Sequence, residues 1–226
     1  MLGDYSLLRV VCPKALRKLR VRGLSRVPVI AEKHTDEELM QRFQQGEQDA
    51  FEQLYRKYKS SVFSFLVRQF KTPENANELT QEVFFRVVRS ASSFRRESKF
   101  TTWLFTITRN LAIDSARRGR HRNHASFDQK TQDAHSLEEK IPASSPTPER
   151  SATAVSLQND LARAIHKMPD EQREVFLLRE YHGLPFREIA TIVNAKEGTI
   201  KSRMRYALQF LRSELSEWSD YARTLP

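Results

Sequence analysis

From Asp49 the apolar side chains fall at Phe51, Leu54, Tyr55, Tyr58, Val62, Phe65 and Leu66, which lie 0, 3, 4, 7, 11, 14 and 15 residues along. Recurrence every three to four residues puts them on one face of a helix. Just upstream, Thr35-Asp36-Glu37-Glu38 reads as a helix start, with a capping residue and acids in the first turn. Thr72-Pro73-Glu74 predicts the opening of a next helix, with proline in the first turn and an apolar stripe of Leu79, Val83, Phe84, Val87 and Val88. A third helix is predicted from about Thr101 to Arg118, with Trp103, Leu104, Ile107, Leu111 and Ala112 on one face.

The periodicity then stops. Residues 141–148 hold three prolines and no helical stripe, and proline removes backbone donors and biases its predecessor toward extended shapes. Residues 119–157 therefore read as a flexible linker. Helical pattern resumes near Ser156 and runs to Lys167. Pro169-Asp170-Glu171 starts another helix, Gly183-Leu184-Pro185 makes a turn, and two helices follow over Phe186 to Val193 and Glu197 to Leu215. The predicted fold is all-α: two small helical domains, 35–118 and 158–215, joined by a flexible linker, with a basic N-terminal arm over 1–34 and a C-terminal tail over 216–226.

Composition narrows the chemistry. The 226 residues carry 38 Lys and Arg against 28 Asp and Glu, a formal charge of +10, with only 6 Gly and one Cys. The single Cys12 excludes an internal disulfide framework and a multi-Cys zinc site, and fits a reducing compartment. No stretch approaches the roughly 20 apolar residues of a membrane span. Residues 1–34 hold eight Lys and Arg against two acids, so most of the excess charge lies there. A flexible arm, an upstream start codon and an organelle transit peptide all remain open for that segment. The six histidines show no metal spacing, and there is no P-loop or nucleophile elbow. No cofactor, metal or catalytic residue is expected.

Three segments carry candidate chemistry. In residues 186–205 two short helices must cross steeply to bury Ile189, Val193, Ile200 and Met204, with Ala190 allowing close approach and Asn194 suited to a left-handed helix end. Gly198-Thr199 opens the second helix, and Lys201, Ser202, Arg203 and Arg205 project from its first turns, as in a helix-turn-helix that reads the major groove. A plain helical hairpin with a solvated basic face is the competing reading. Residues 94–122 interleave aromatics, hydroxyls and cations. Single-stranded bases need such stacking surfaces and hydrogen-bond partners. Lys99, Thr101, Thr102, Arg109 and Asn110 are candidates for nucleic acid, with Arg117 and Arg118 on the backbone, whereas Trp103, Leu104 and Ile107 read as core. The helix over 76–89 has a second, polar face of Asn77, Glu78, Thr80, Gln81 and Glu82, either a solvated surface or a protein-docking face.

In this order the segments resemble an extracytoplasmic-function (ECF) sigma factor, a two-domain initiation subunit of bacterial RNA polymerase. Residues 76–84 look like the family's polymerase-docking helix. Phe94 to Asp114, with Lys99-Phe100, Trp103-Leu104, Arg109-Asn110 and Asp114, looks like its promoter-melting and minus-ten stretch. Residues 168–176, Glu188-Ile-Ala190 and 198–203 look like its minus-thirty-five domain. Four positions depart from the pattern: Glu78 for Asp, Arg96 for Gly, Met168 for Leu and Asn194 for Gly. None removes a functional group.

The resemblance implies a cytoplasmic binding subunit, not an enzyme. It would engage core RNA polymerase through Asn77, Glu78, Thr80, Gln81 and Glu82. Melting and minus-ten contact would fall to Lys99, Phe100, Thr101, Thr102, Trp103, Arg109, Asn110, Asp114, Arg117 and Arg118. Minus-thirty-five contact would fall to Arg187, Lys196, Gly198, Thr199, Lys201, Ser202, Arg203, Arg205 and Tyr206. Its partners would be core RNA polymerase, duplex and single-stranded promoter DNA, and an anti-sigma factor. The alternatives are a helix-turn-helix regulator that binds duplex DNA without polymerase, and a DNA enzyme such as a recombinase, for which the helical unit over 35–118 is a poor catalytic domain.

Overall fold

The computed structural model describes residues 34–70, 75–124 and 148–218. The basic segment 1–33, residues 71–74 with their Thr72-Pro73-Glu74 helix start, most of the predicted linker and the tail from 219 lie outside the described residues. Those described form helices and connecting turns, with no strand among them.

Helix α1 spans Asp36–Gln44. Its start has the expected chemistry: the Glu38 N–H donates to Thr35 Oγ1 at 3.2 Å, and the Thr35 N–H donates to Glu38 Oε2 at 2.9 Å. This reciprocal box satisfies two backbone donors that the first turn cannot pair. Hydrogen bonding to the Thr35 backbone holds the Glu38 carboxyl below its usual pKa. Helix α2, Gln48–Phe70, turns its stripe inward, burying Ala50, Leu54, Tyr58, Val62, Phe65 and Leu66. Helix α3 spans Ala76–Arg89, after Asn75. A short 3-10 turn, Ala91–Ser93, leads toward the long helix α4, Phe100–His124. Leu39, Met40, Leu54, Tyr58, Val62, Val83, Phe84, Val87, Phe94, Phe100, Leu104 and Leu111 close one core.

Two boundaries differ from expectation. Helix α4 runs to His124, past the expected end at Arg118, and helix α5 begins at Pro148 and runs to Lys167. A proline fits a helix start because the first-turn N–H has no intrahelical partner. The last of the three prolines in 141–148 therefore opens a helix.

Helix α6, Asp170–Phe176, continues into a wider π turn over Leu177–Tyr181. After Gly183, at φ +69°, helix α7 covers Phe186–Val193 and helix α8 covers Glu197–Glu214. Asn194 adopts the left-handed conformation, φ 55° and ψ 54°. The Ala195 N–H can then donate back to the Ala190 carbonyl at 3.0 Å, closing the helix end. Ile189, Val193, Ile200 and Met204 are buried together.

The two halves are not separate cores. Phe65 of α2 and Phe105 of α4 are buried in the same cluster as Met168, Val175, Leu178 and Ile189. Arg173, 2% exposed, donates to the carbonyls of Met168 at 2.9 Å and of Gln69 at 3.0 Å, and pairs with Asp170. The Gln69 amide donates to the Asp170 carbonyl at 3.2 Å. Sequence periodicity showed which residues needed burial, but not that the second domain would cover part of the first.

Candidate nucleic-acid interface

Helix α4 begins under electrostatic control from another helix. The Phe100 N–H donates to Glu37 Oε1 at 3.0 Å, and Lys99 Nζ lies 4.0 Å from the same oxygen. A carboxylate at a helix N-terminus satisfies an unpaired donor and complements the helix dipole. Glu37 thus anchors the start of the predicted melting helix. Sequence reasoning recognised it only as a first-turn acid of α1, because the partner lies 63 residues away.

The side chains of α4 divide by face. Phe100, Leu104, Leu111 and Ala112 are buried in the first core. Phe100 is fully buried and packs on Tyr58, Phe94 and Trp103, with ring centroids 5.4 to 6.1 Å apart. It supports the helix from inside and offers no ring to a base in this conformation. Trp103, against Phe94 at 5.3 Å, is partly exposed. Lys99, Asn110, Asp114, Arg117 and Arg118 are exposed, and Thr101 is partly so. Asn110, Asp114, Arg117 and Arg118 fall at helical spacing along one flank.

Thr102 and Arg109 lie elsewhere. With Phe105 they form a stripe at 0, 3 and 7, and the second domain covers it. The Thr102 hydroxyl donates to Glu188 Oε2 at 2.8 Å, and Arg109 Nε donates to Glu174 Oε1 at 2.7 Å. Glu174 has a side chain only 8% exposed, and burial raises its pKa against the pull of Arg109. The ten residues assigned to melting are thus split among a buried support, a free flank and an occluded stripe.

The helix-turn-helix positions are held together. Arg187, Lys196, Gly198, Thr199, Lys201, Ser202, Arg205 and Tyr206 are all exposed. Arg187, Thr191, Asn194, Lys196 and Glu197 line a shallow depression between α7 and α8. Lys201 pairs with Glu197 at 2.7 Å, and Arg205 lies over the Tyr206 ring at 5.0 Å. Arg203 is partly buried, donating to Glu171 at 2.6 Å.

On α3, Asn77, Glu78 and Gln81 are exposed, and Glu82 pairs with Arg86 at 2.9 Å. Thr80 is buried and donates to the Ala76 carbonyl at 2.6 Å, so it belongs to the helix interior and not to the polar face. Val88, expected in the buried stripe, is 42% exposed, and Phe85 is 54% exposed. With Glu78 and Gln81 they stand at 0, 3, 7 and 10, forming one mixed face. Sequence reasoning missed these two. The signal was present: five apolar residues in the six positions 83–88 are more than one face can bury.

Among the described residues, no group of His, Cys, Asp and Glu could hold a metal, and no helix is long and apolar enough to cross a membrane.

Comparison with known proteins places this geometry. Sigma-70 region 2 matches residues 54–122, and Sigma-70 region 4 matches residues 158–211. The first match separates the chain from a regulator built on a helix-turn-helix alone. The chain is 30% identical over 172 residues to the ECF RNA polymerase sigma factor SigW of Bacillus subtilis, covering 76% of this chain and 92% of that protein. It is 32% identical over 179 residues to the ECF RNA polymerase sigma-E factor of Escherichia coli K12, covering 77% and 91%. The sigma factor RpoE of Bartonella quintana, solved with the anti-sigma factor NepR, shares the fold at a TM-score of 0.57 and 24% identity, covering 74% of this chain and 96% of that one. With both sigma regions in order and nearly the full length of curated relatives matched, the chain belongs to the ECF RNA polymerase sigma factor family.

Proposed function

We propose that this chain binds core RNA polymerase and directs it to a specific set of promoters in the cytoplasm, recognising and melting the DNA without catalytic chemistry of its own. The observation that carries the reading is the presence, in one chain, of a region 2 unit over 54–122 and a region 4 unit over 158–211. The mixed face of α3 (Asn77, Glu78, Gln81, Glu82, with Phe85 and Val88) is the polymerase-docking surface. A face with central apolar side chains and flanking charge suits a specific protein contact. The flank of α4 holds the melted strand: Asn110 reads a base, and Arg117 and Arg118 take phosphates. Helix α8 enters the major groove at the upstream element through Lys201, Arg203 and Arg205. Relatives of this fold include a sigma factor solved with an anti-sigma factor, and an anti-sigma factor is the expected inhibitory partner here.

The test is co-purification of the chain with core RNA polymerase, followed by transcription from a promoter library. Transcripts starting at a shared sequence pair, absent with core enzyme alone, are the expected result. DNA binding with no polymerase association would overturn the reading.

A further inference from the structure

Between the 3-10 turn and α4, residues 95–99 (Arg95, Arg96, Glu97, Ser98 and Lys99) form an exposed loop outside any helix. Helix α1 holds it at both ends. The carbonyl just before the loop, that of Phe94, accepts from the Gln44 side-chain amide at 3.2 Å, and the same amide donates to the Ala91 carbonyl at 2.7 Å. The N–H just after the loop, that of Phe100, donates to Glu37. Glu37 and Gln44 are seven residues apart in one helix, which puts them on the same face, about 10 Å from each other along its axis. We propose that Gln44, together with Glu37, is a positioning residue for promoter opening: α1 braces the 95–99 loop so that Arg95, Arg96 and Lys99 meet the phosphates of the melted strand in an arrangement formed before DNA arrives. The inference rests on the sigma-factor reading above and deepens it.

The surroundings of the loop support a preformed shape. Its two flanking residues, Phe94 and Phe100, are buried and pack on each other and on Trp103, with ring centroids 5.3 to 6.1 Å apart. Within the loop the Ser98 N–H donates to the Arg95 carbonyl at 3.1 Å, closing a turn. Lys99 lies 4.0 Å from Glu37 with its side chain still 67% exposed, so the pair orients the cation without hiding it. Glu38, held below its usual pKa first by the Thr35 backbone, also feels the Arg96 charge. Arg96 stands where the family pattern has Gly, and a side chain there narrows the range of the backbone. Ordering a flexible loop on binding costs conformational entropy. A loop already ordered by α1 loses less of the DNA-binding free energy to that cost.

The test uses holoenzyme on a promoter that it transcribes, with the rate of opening followed by permanganate reactivity at equal promoter occupancy. Gln44→Met keeps side-chain length and removes the amide donors. Because Gln44 is exposed, the thermal melt of the chain should stay in place. Opening should slow about tenfold, the effect of losing a hydrogen bond that holds the reactive arrangement. Arg95→Ala, Arg96→Ala and Lys99→Ala together remove the loop cations directly. Adding Gln44→Met to those three should slow opening no further, because Gln44 acts through the loop. Arg96→Gly against Arg96→Ala leaves both anchors intact, since each lacks the charge and they differ only in backbone freedom. The glycine variant is expected to open about threefold more slowly. Opening by Gln44→Met at the wild-type rate would overturn the inference. So would losses that multiply in the combined variant, or equal rates for Arg96→Gly and Arg96→Ala. A wild-type chain that does not associate with core polymerase overturns the sigma-factor reading instead, and the brace falls with it.

Discussion

Glu37, in the first turn of α1, accepts the backbone N–H of Phe100, the first residue of α4, at 3.0 Å. One helix thereby sets where another begins, and Lys99 and Thr101 on either side take their positions from that bond. Replacing Glu37 with Ala should lower stability by about 1 kcal/mol, the usual effect of losing a helix cap. It should also reduce promoter opening. The check is urea unfolding beside an open-complex assay, with Glu37→Asp and Glu37→Gln as graded variants. Unchanged unfolding for Glu37→Ala would show that the cap is dispensable.

The docking face of α3 should tolerate charge changes structurally but not functionally. Glu78→Lys with Glu82→Lys should abolish co-purification with core polymerase while leaving the circular dichroism melt in place. Both side chains avoid the buried stripe, and an exposed pair such as Glu82 with Arg86 contributes about 0.5 kcal/mol. Phe85→Ser should weaken core binding with the same structural silence. Thr80→Ala, in contrast, should act on folding only, since its hydroxyl is spent on the Ala76 carbonyl.

On the recognition helix, a base-reading residue and a phosphate contact separate by their signatures. Loss of a base contact should weaken binding by about 1–3 kcal/mol at one base pair, whereas loss of a phosphate contact should weaken all sequences alike and lower the salt slope by about one. Exposed Lys201 is expected to show the phosphate pattern. Arg203, oriented by Glu171, is expected to show the base pattern. Promoter binding unaltered in both Lys201→Ala and Arg203→Ala would place the helix outside the groove.

Melting should depend on the free flank of α4. Asn110→Ala holoenzyme is expected to occupy duplex promoter normally yet leave bubble thymines less reactive to permanganate, and a premelted template should restore most of the transcription. Phe100→Ala is a different experiment: its ring is fully buried, so truncation should destabilise the fold by roughly 3–5 kcal/mol. Equal permanganate reactivity for Asn110→Ala and wild type at equal occupancy would assign the flank to surface alone.

His182 makes stability pH-dependent. Burial, with the nearby Arg68 charge, pushes its pKa down to about 4 from 6.5. The folded chain therefore resists a proton that the unfolded chain accepts. Above about pH 6.5 both states are neutral and nothing is lost; between pH 6.5 and 4 folded stability falls, by at most about 3 kcal/mol. Glu174, whose pKa is raised, works the other way and gains stability as pH falls through its range. Comparing urea unfolding of wild type with His182→Phe isolates the histidine. The stability difference between the two should shift by about 2 kcal/mol in favour of the variant from pH 7 to pH 5. A difference that does not change with pH would mean that His182 is hydrated.

Local features were legible from residue order. The Thr35 capping box, the α2 stripe, the left-handed Asn194 and the helix-turn-helix over 186–205 depend on neighbours within a few positions, and chain order supplies those neighbours. The expectation of two helical units followed from the same periodicities, and their sigma-type reading from the resemblance of their motifs. The α3 face was half legible: its polar members were visible, but which side of a wide apolar run stays exposed depends on where α2 and α4 pack against it.

Pairings at long separation were beyond local pattern. Arg173 sits on the short α6, and the carbonyl of Gln69, 104 residues away, takes it into the interior. Thr102 and Arg109 belong by helical spacing to a continuous basic and hydroxyl surface, and the second domain covers both. A helix face carries no record of what will cover it. Burial of Phe65 and Phe105 on one side, and desolvation of Glu174 on the other, arise only when elements some 65 to 105 residues apart meet, so the division of α4 into a free flank and a covered stripe belongs to the tertiary structure alone.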